Sequence, residues 1–254
     1  MSWQSLATVA LDVDSDIAPE RAHAITQALC RRIVAVLVIR DGRVEPLASG
    51  CLYWSGGHLI LLTCRHVFDD GVCLGDLLLT LGESGCLVAL RTLNARCVEH
   101  PAHDVVAIDL CPRRARGALQ RHWFPVLLEE DCEMARPAAS DRIVVAGYPY
   151  AQMRRIDGTV FARPLVLFAR TVAIAPGLQA SYARTVRRVD GALIHAPALD
   201  GVSGATVWSV RDERDQVDCV LLPAAVQFAF KHDQYLRGAP IGAAHEMFAR
   251  LVAR

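Results

Sequence analysis

The chain has 254 residues, of which 53% are hydrophobic and 6% aromatic, enough apolar material for one large domain or two small ones. Its 27 basic and 27 acidic residues cancel, which argues against a general attraction to nucleic acid or to an anionic membrane. No run approaches the roughly 18 apolar residues that a membrane-spanning helix needs. We therefore expect neither nucleic acid nor a membrane as a partner.

The N-terminal residues do not resemble a secretory signal, because no basic segment precedes the apolar stretch and Asp12 and Asp14 interrupt it. Nine cysteines is an odd number for a disulfide framework. Most of them lie within apolar segments, where a free cysteine behaves as a small buried hydrophobe. We therefore expect a cytoplasmic protein without disulfides.

The first elements are a helix and three strands. Residues 19–32 have an early proline and end on arginines, a pattern typical of a short helix. The β-branched, apolar run 33–40 and residues 45–54 predict two strands that are joined by the hairpin turn 41–43. A Ser-Gly-Gly turn then leads into a further strand over 58–63.

The rest of the chain continues in short apolar segments. Further strands are predicted at 72–81, 86–97 and 105–111, with a glycine-containing turn at 82–85. A polar, arginine-rich stretch from 112 to 137 is interpreted as a connection between two halves. The predicted strands of the second half are 143–147, 164–175, 192–196, 205–210 and 217–230, with a turn at 212–215. The tail, 241–251, has apolar residues at helical spacing. A second arginine-rich segment, 184–188, is interpreted as a solvated face or linker.

Three short motifs carry residues suited to nucleophilic catalysis. An apolar strand delivers His66 onto a turn, Asp104 comes directly before an apolar strand, and Ser203 lies in Gly201-Val-Ser-Gly204. Hydrolysis by a serine hydroxyl needs a base, a group that orients the base, and backbone N–H donors for the oxyanion. Glycine at 201 would let its N–H and that of Ser203 point at one spot.

These motifs resemble the three signatures of trypsin-like serine peptidases. Thr-Cys-Arg-His at 63–66, Asp104 with its following apolar run, and Gly-Val-Ser-Gly at 201–204 occur in the family's order of His, Asp and Ser. Ser49-Gly50 also resembles the Ser-Gly strand that precedes the histidine motif in that family. Gly-Tyr-Pro at 147–149 resembles a Gly-x-Pro element that is found in bacterial members of the family. The resemblance covers residues 33–230.

The resemblance implies an all-β, chymotrypsin-like fold of two antiparallel six-stranded β-barrels, with short helices at both termini. The expected units are an N-terminal extension (1–32), a first barrel (33–112), a connection (113–139), and a second barrel with the closing helix (140–254). It also implies a serine endopeptidase that acts on protein or peptide substrates. His66, Asp104 and Ser203 would form the triad, with the Gly201 and Ser203 N–H groups as oxyanion hole; neither cofactor nor metal is expected.

Some positions depart from the family pattern. Cys64 stands where alanine is usual, and Ala205 and Thr206 replace a Gly-Pro pair. Val202 replaces the aspartate that pairs with a newly cleaved N-terminus in digestive members, so that activation switch cannot operate here. We therefore expect narrow specificity or control by a regulatory protein partner.

The position that would form the base of the primary specificity pocket is Pro197, six residues before the serine. Without a carboxylate there, a preference for Arg or Lys is not supported, and a small or apolar pocket is expected. Asp200, Val226, Gln227 and Phe228 are the other residues assigned to substrate binding, whereas His195 is expected to pack.

The sequence is open to three alternative interpretations. An α/β-hydrolase needs Gly-x-Ser-x-Gly with its histidine after the serine, but residue 205 is alanine and the last histidine, His245, lies in the predicted tail helix. Cys97, His100 and His103 have metal-like spacing but no second ligand pair nearby, so two of them are expected to support the loop of Asp104 instead. The remaining alternative is a catalytically inactive, protease-like module that binds a partner protein.

Overall fold

The structure is a computed structural model that describes residues 7–11, 17–81, 86–119, 121–128, 137–156, 159–174, 177–212 and 219–252. It is mostly β, as the sequence predicts. The predicted turn at 82–85 and most of the one at 212–215 lie outside the described residues. In the described part of the chain, no helix has the length and apolar character to span a membrane. Seven of the nine cysteines have described side chains, and none of these seven forms a disulfide.

The described residues of the first half form nine strands and three helices. These are β1 (Thr8–Leu11), α1 (Pro19–Cys30), β2 (Ile33–Arg40), β3 (Arg43–Ser55), β4 (His58–Thr63), β5 (Leu77–Thr80), β6 (Leu87–Ala89), α2 (Leu90–Leu93), β7 (Arg96–Glu99), β8 (Val106–Asp109), α3 (Pro112–Leu119) and β9 (Val126–Leu127). Two short 3₁₀ segments, Arg65–Gly71 and Leu74–Asp76, lie between β4 and β5.

In the second half, the part of the chain that the structure describes forms ten strands and the closing helix. These are β10 (Arg142–Gly147), β11 (Met153–Ile156), β12 (Thr159–Ala162), β13 (Leu165–Ala173), β14 (Leu178–Ser181), β15 (Thr185–Arg188), β16 (Leu193–His195), β17 (Thr206–Asp212), β18 (Cys219–Lys231), β19 (Tyr235–Pro240) and α4 (Ile241–Val252). A 3₁₀ turn, Tyr150–Gln152, follows β10.

Several predicted elements are confirmed. The predicted strands 33–40 and 58–63 are β2 and β4, and helices α1 and α4 lie where the sequence placed them. Asp41 and Gly42 both have positive φ, 49° and 72°, as a tight two-residue hairpin requires. The strands predicted at 143–147, 164–175, 192–196, 205–210 and 217–230 correspond to β10, β13, β16, β17 and β18.

Three interpretations of local sequence were wrong. Residues 86–97 are not one strand, because helix α2 interrupts them to bury Leu90 and Leu93, and Asn94 ends that helix with a φ of 54°. Residues 72–81 form a 3₁₀ turn before the short strand β5. For the arginine-rich segment at 184–188 the linker interpretation was wrong, because β15 pairs with β1 and β16, whereas the exposed Arg184 and Arg188 are compatible with a solvated face.

The strands of the second half close one six-stranded antiparallel barrel. Its order is β10, β17, β18, β19, β14 and β13, and β13 pairs back with β10 to complete the ring. Strand β1 adds to this sheet from the N-terminal side of the chain by pairing in parallel with β13. The first half forms a sheet in the order β6, β5, β2, β3, β4, β8 and β7, with β9 beside β3, and the described pairings leave this path open.

The central strands are buried on both faces, which explains their continuous apolar sequence. In β2, Val34, Val36 and Val38 pack into a cluster inside the first half. Their neighbours Ile33, Ala35 and Leu37 pack into a central cluster shared by both halves. Successive strand residues point to opposite faces, so one apolar run supplies both clusters. Strands β4 and β10 follow the same rule, and β10 divides its residues between the central cluster and the interior of the second barrel.

Helix α4 and one tyrosine join the two halves. Met247, Phe248 and Leu251 of α4 are buried in the central cluster. The ring of Tyr53 lies 5.5 Å from that of Phe248, and its hydroxyl is 2.8 Å from Thr206 Oγ1 across the interface. The halves therefore share one continuous core.

Close packing at Gly50 gives a first test of this architecture. A Cβ at Gly50 would overlap Leu61 Cδ1 and lie 3.1 Å from the Leu62 carbonyl oxygen. We expect Gly50→Ala to lower the free energy of unfolding by about 1–3 kcal/mol, as overpacking of a core does. Urea denaturation measures this change. Gly242→Ala is the control, because a Cβ there meets nothing within 4 Å and should leave stability unchanged or slightly raised; equal effects of both substitutions would contradict the packing.

Candidate active site

His66 and Asp104 form a doubly hydrogen-bonded pair. The Nδ1 atom of His66 lies 2.6 Å from Asp104 Oδ2, and the backbone N–H of His66 donates to Asp104 Oδ1 at 2.9 Å. His66 is the second residue of the 3₁₀ segment after β4, and Asp104 lies just before β8, the strand that pairs with β4. The pairing of β4 with β8 therefore brings together two residues that are 38 positions apart.

The pair shifts the pKa values of both groups. Hydrogen bonds with Asp104 and then with Cys64 raise the pKa of His66 from 6.5 to about 10, although partial burial opposes the rise. Burial opposes the shift at Asp104 as well, but its hydrogen bonds with the His66 ring and with the backbone of His66 and Arg65 hold the pKa of its carboxyl below the ordinary value. Each group thus stabilises the charged form of the other.

The Ser203 turn packs directly against the end of β4. The backbone N–H of Ser49 donates to the Ser203 carbonyl at 2.8 Å. A Cβ on Gly204 would overlap Ser49 O and Thr63 Oγ1 and would lie 2.8 Å from the backbone nitrogen of Cys64. Gly204 has a φ of 88°, so both conformation and space require glycine here. The half-buried Ser203 is therefore held beside the segment that carries His66.

Two backbone N–H groups of this turn are free. Within the described part of the chain, the N–H groups of Gly201 and Ser203 donate to no acceptor, whereas those of Val202, Gly204 and Ala205 do. Gly201 has a φ of 89°, and a Cβ there would overlap the ring of Tyr150. Two N–H donors with one residue between them can stabilise an oxyanion where both point at the same spot.

Ser49 fixes the turn through its side chain. Its hydroxyl donates to the Gly201 carbonyl at 2.7 Å and accepts the backbone N–H of Tyr148 at 2.8 Å. Its carbonyl accepts the Thr63 hydroxyl at 2.7 Å. Ser49 is fully buried, so these bonds form away from water. One residue thus holds β4, the Ser203 turn and the loop after β10 together.

The second ring nitrogen of His66, Nε2, has the thiol of Cys64 as its neighbour. The Nε2 atom lies 3.3 Å from Cys64 Sγ. Among the hydrogen bonds of the described residues, none joins His66 to the Ser203 hydroxyl. The structure therefore brings the three predicted triad positions into one region, and within it the ring contacts Asp104 on one side and Cys64 on the other.

The residues assigned to substrate binding lie around this turn. The Pro197 carbonyl accepts a hydrogen bond from the Tyr182 hydroxyl. Asp200 is exposed, and its carbonyl accepts the N–H of Tyr150 at 2.8 Å. His195, which was expected to pack, is exposed at the end of β16.

The predicted substrate strand is largely turned into the protein. Val226 and Gln227 are fully buried, and Phe228 packs in part against the central cluster. The backbone of Gln227 binds the turn after Ser203 through its N–H to the Ala205 carbonyl (2.8 Å) and its carbonyl to the Gly204 N–H (2.7 Å). Neither side-chain amide atom of Gln227 has a hydrogen-bond partner among the described residues. The side chains of Val226 and Gln227 are therefore buried next to the Ser203 turn and are not exposed to a substrate.

The histidines with metal-like spacing support the loop before Asp104. His100 Nδ1 accepts the backbone N–H groups of Ala102 and His103 at 3.1 and 3.0 Å. Its Nε2 lies 3.4 Å from Glu246 of α4, and its ring lies 4.7 Å from that of His103. No group of three or more His, Cys, Asp or Glu side chains in the described ranges is arranged to hold a metal ion.

Sequence reasoning missed two contributors to the site. Tyr150 covers Gly201 with its ring, and its hydroxyl donates to the Leu47 carbonyl at 2.5 Å. Ser49 was noted only as part of a family element. A serine inside a continuous apolar strand was the available signal, because a buried hydroxyl needs partners.

Comparisons with known proteins give little further information. No protein-family model matches the chain, and no curated protein is similar to it. One similar solved structure comes from a study of how aromatic interactions drive the coupled folding and binding of the intrinsically disordered Sesbania mosaic virus VPg protein. It has 16% sequence identity and a TM-score of 0.47, and the similarity covers 84% of this chain and 86% of that chain. A similarity at this level carries no argument about fold or function.

The His66–Asp104 pair predicts an elevated histidine pKa. We expect the His66 ring to titrate well above 6.5, toward 10, in an NMR titration of the imidazole nitrogens. Asp104→Asn removes the carboxylate that stabilises the imidazolium, so the midpoint should fall toward 6.5. Asp190→Asn, which removes a carboxylate paired with Arg188 at the surface, is the control and should not move it. A wild-type midpoint at or below 6.5 would contradict the geometry.

The Ser49 network predicts a large cost for removing one hydroxyl. Ser49→Ala leaves the Tyr148 N–H and the Gly201 carbonyl without their buried partner, so we expect the free energy of unfolding to fall by about 1–3 kcal/mol. Ser55→Ala is a matched control at the half-buried end of the same strand and should change it by less than about 0.5 kcal/mol. Urea denaturation of the three proteins measures both values; a neutral Ser49→Ala would exclude the proposed tie.

Proposed function

We propose that this protein is a serine endopeptidase that hydrolyses peptide bonds through an acyl-enzyme on Ser203. The observation that carries the proposal is the His66–Asp104 pair, with hydrogen bonds of 2.6 and 2.9 Å, next to the Ser203 turn. The backbone N–H groups of Gly201 and Ser203 in that turn have no acceptor among the described residues. A base, an orienting carboxylate, a hydroxyl and oxyanion donors are the parts that acyl transfer to serine requires.

In the proposed first step, the Ser203 Oγ bonds to the scissile carbonyl carbon while His66 Nε2 takes the hydroxyl proton. The carbonyl electron pair moves to the oxygen, where the N–H groups of Gly201 and Ser203 stabilise the negative charge. Asp104 holds the Nδ1 proton and so keeps Nε2 available as the base. The Ser203 side chain has to turn toward Nε2 for this step.

In the second stage, the C–N bond breaks and the amine leaves with the proton from His66 Nε2. A water molecule then attacks the acyl carbon and gives a proton to the same nitrogen. Cleavage of the ester bond returns that proton to Ser203 Oγ and releases the carboxylic acid. Both stages use only residues of this chain and water.

The fold that accompanies this proposal is chymotrypsin-like, with a second six-stranded barrel in the first half. Strands β2, β3, β4, β5, β7 and β8 surround a buried apolar cluster of their own, which supports a barrel there. We propose that the natural substrates are cytoplasmic proteins cleaved with narrow specificity, because no carboxylate selects a basic residue at Pro197 and Val202 excludes the family's activation switch.

A second candidate function is a protease-like module that binds a partner protein without catalysis. Two observations favour it. His66 Nε2 contacts Cys64 instead of Ser203, and Val226 and Gln227 are closed off beneath the turn. Covalent reaction of Ser203 separates the candidates, because a binding module does not need an activated serine.

Labelling with a fluorophosphonate probe tests the proposed activity. We expect the wild type to label at one site, Ser203→Ala to lose labelling completely, and His66→Ala to label at least about 100-fold more slowly, because the probe requires a serine activated by its base. Gel fluorescence gives the rate, and mass spectrometry gives the modified residue.

Ser55→Ala controls for the loss of a half-buried serine elsewhere and should label as the wild type does. Circular dichroism of each variant shows whether it is folded. A folded wild type that resists labelling at pH 7–10 would leave the binding module as the better description. Labelling that persists in Ser203→Ala would refute the assignment of the nucleophile.

A further inference from the structure

Cys64 occupies the place where the base of the proposed reaction must receive its proton. It follows β4 directly, its side chain is fully buried, and its Sγ lies 3.3 Å from His66 Nε2. The Ser203 turn abuts the same residue, because a Cβ on Gly204 would lie 2.8 Å from the Cys64 backbone nitrogen. The thiol thus contacts the ring nitrogen that has to exchange a proton with Ser203, and it belongs to a residue against which the serine turn packs.

The hydrogen-bonding pattern gives the thiol a defined role. In the neutral ring, Nδ1 donates its proton to Asp104 Oδ2, which leaves Nε2 as an acceptor. A thiol is a weak donor, and burial raises the pKa of Cys64, so the group stays protonated and can donate to Nε2. The Ser203 hydroxyl would need the same lone pair. The two donors cannot both use it in full.

We infer that Cys64 is a positioning residue that holds His66 in a resting arrangement and competes with Ser203 for its Nε2 atom. This inference rests on the proposed function, because only catalysis requires Nε2 to bind Ser203. The contact restrains the ring from two sides, with Asp104 at Nδ1 and Cys64 at Nε2. Release of the thiol contact frees the lone pair that Ser203 needs, so the protein controls its base from within the same strand end.

Cys64→Ala removes the donor and tests the competition. We expect the variant to react with a fluorophosphonate about 2- to 10-fold faster than the wild type, the range that corresponds to losing one modest hydrogen bond. Cys64→Ser keeps a donor of similar size, so it should react no faster than the wild type. Cys30→Ala removes a buried thiol at the end of α1, a helix that carries none of the residues of the site, and should match the wild type.

The pH dependence separates positioning from a packing effect. The titratable groups that face His66 are Asp104 and Cys64. Burial and then the charge of Cys64 in turn raise the pKa of Tyr150. The Cys64 sulfur can also accept Nε2–H of the charged ring, and it is this form of the contact that raises the pKa of His66. Cys64→Ala should therefore move the midpoints of the NMR titration and of the labelling profile to lower pH. A cavity alone would lower stability, which urea denaturation reads separately, without moving these midpoints.

The outcomes distinguish the inference from the function on which it rests. Faster labelling of Cys64→Ala, with a lower His66 midpoint, supports the inference. An unchanged or slower rate with an unchanged midpoint overturns it while leaving the enzyme intact. If no variant labels, the proposed function fails, and the NMR titration still decides whether the thiol holds His66: an unmoved midpoint in Cys64→Ala excludes the contact as well.

Discussion

The hydroxyl of Ser49 ties three segments together at one buried point, and the geometry of the candidate site depends on that tie. It links the Gly201 carbonyl to the Tyr148 N–H, while the backbone of the same residue binds Ser203 and Thr63. Since no water reaches Ser49, loss of any partner would leave a buried polar group unpaired. The serine turn therefore has one stable position relative to the strand end that carries His66.

Packing around this point gives it rigidity. Strands β2, β4 and β10 are buried on both faces, so neither half can shift without disturbing two clusters at once. Tyr53 adds a directional contact across the interface through Thr206. Within this frame, the Nε2 atom of His66 has Cys64 as its partner. The proposed chemistry requires Ser203 at that atom instead.

The sequence predicted the elements whose signals are local. Runs such as 33–40 and 58–63 were predicted to the residue because glycine turns bound them and one period describes them. Helix α2 was missed because Leu90 and Leu93 fit a strand equally well until tertiary packing decides. Strand β1 was missed because its partners, β13 and β15, lie far away in the chain. The triad positions came from short motifs, whereas the contact of Cys64 with His66 depends on a side-chain direction that no motif encodes.

The bonds that assemble the site span long stretches of chain: 152 residues separate Ser49 from Gly201, and 153 separate Tyr53 from Thr206. Contacts of such high sequence separation require large loops to close, so they form slowly and late in folding. The site is then completed only after both halves have formed and docked. In a partly folded chain, Ser203 and His66 would lie apart. Any reactivity of Ser203 would therefore appear only with the native state.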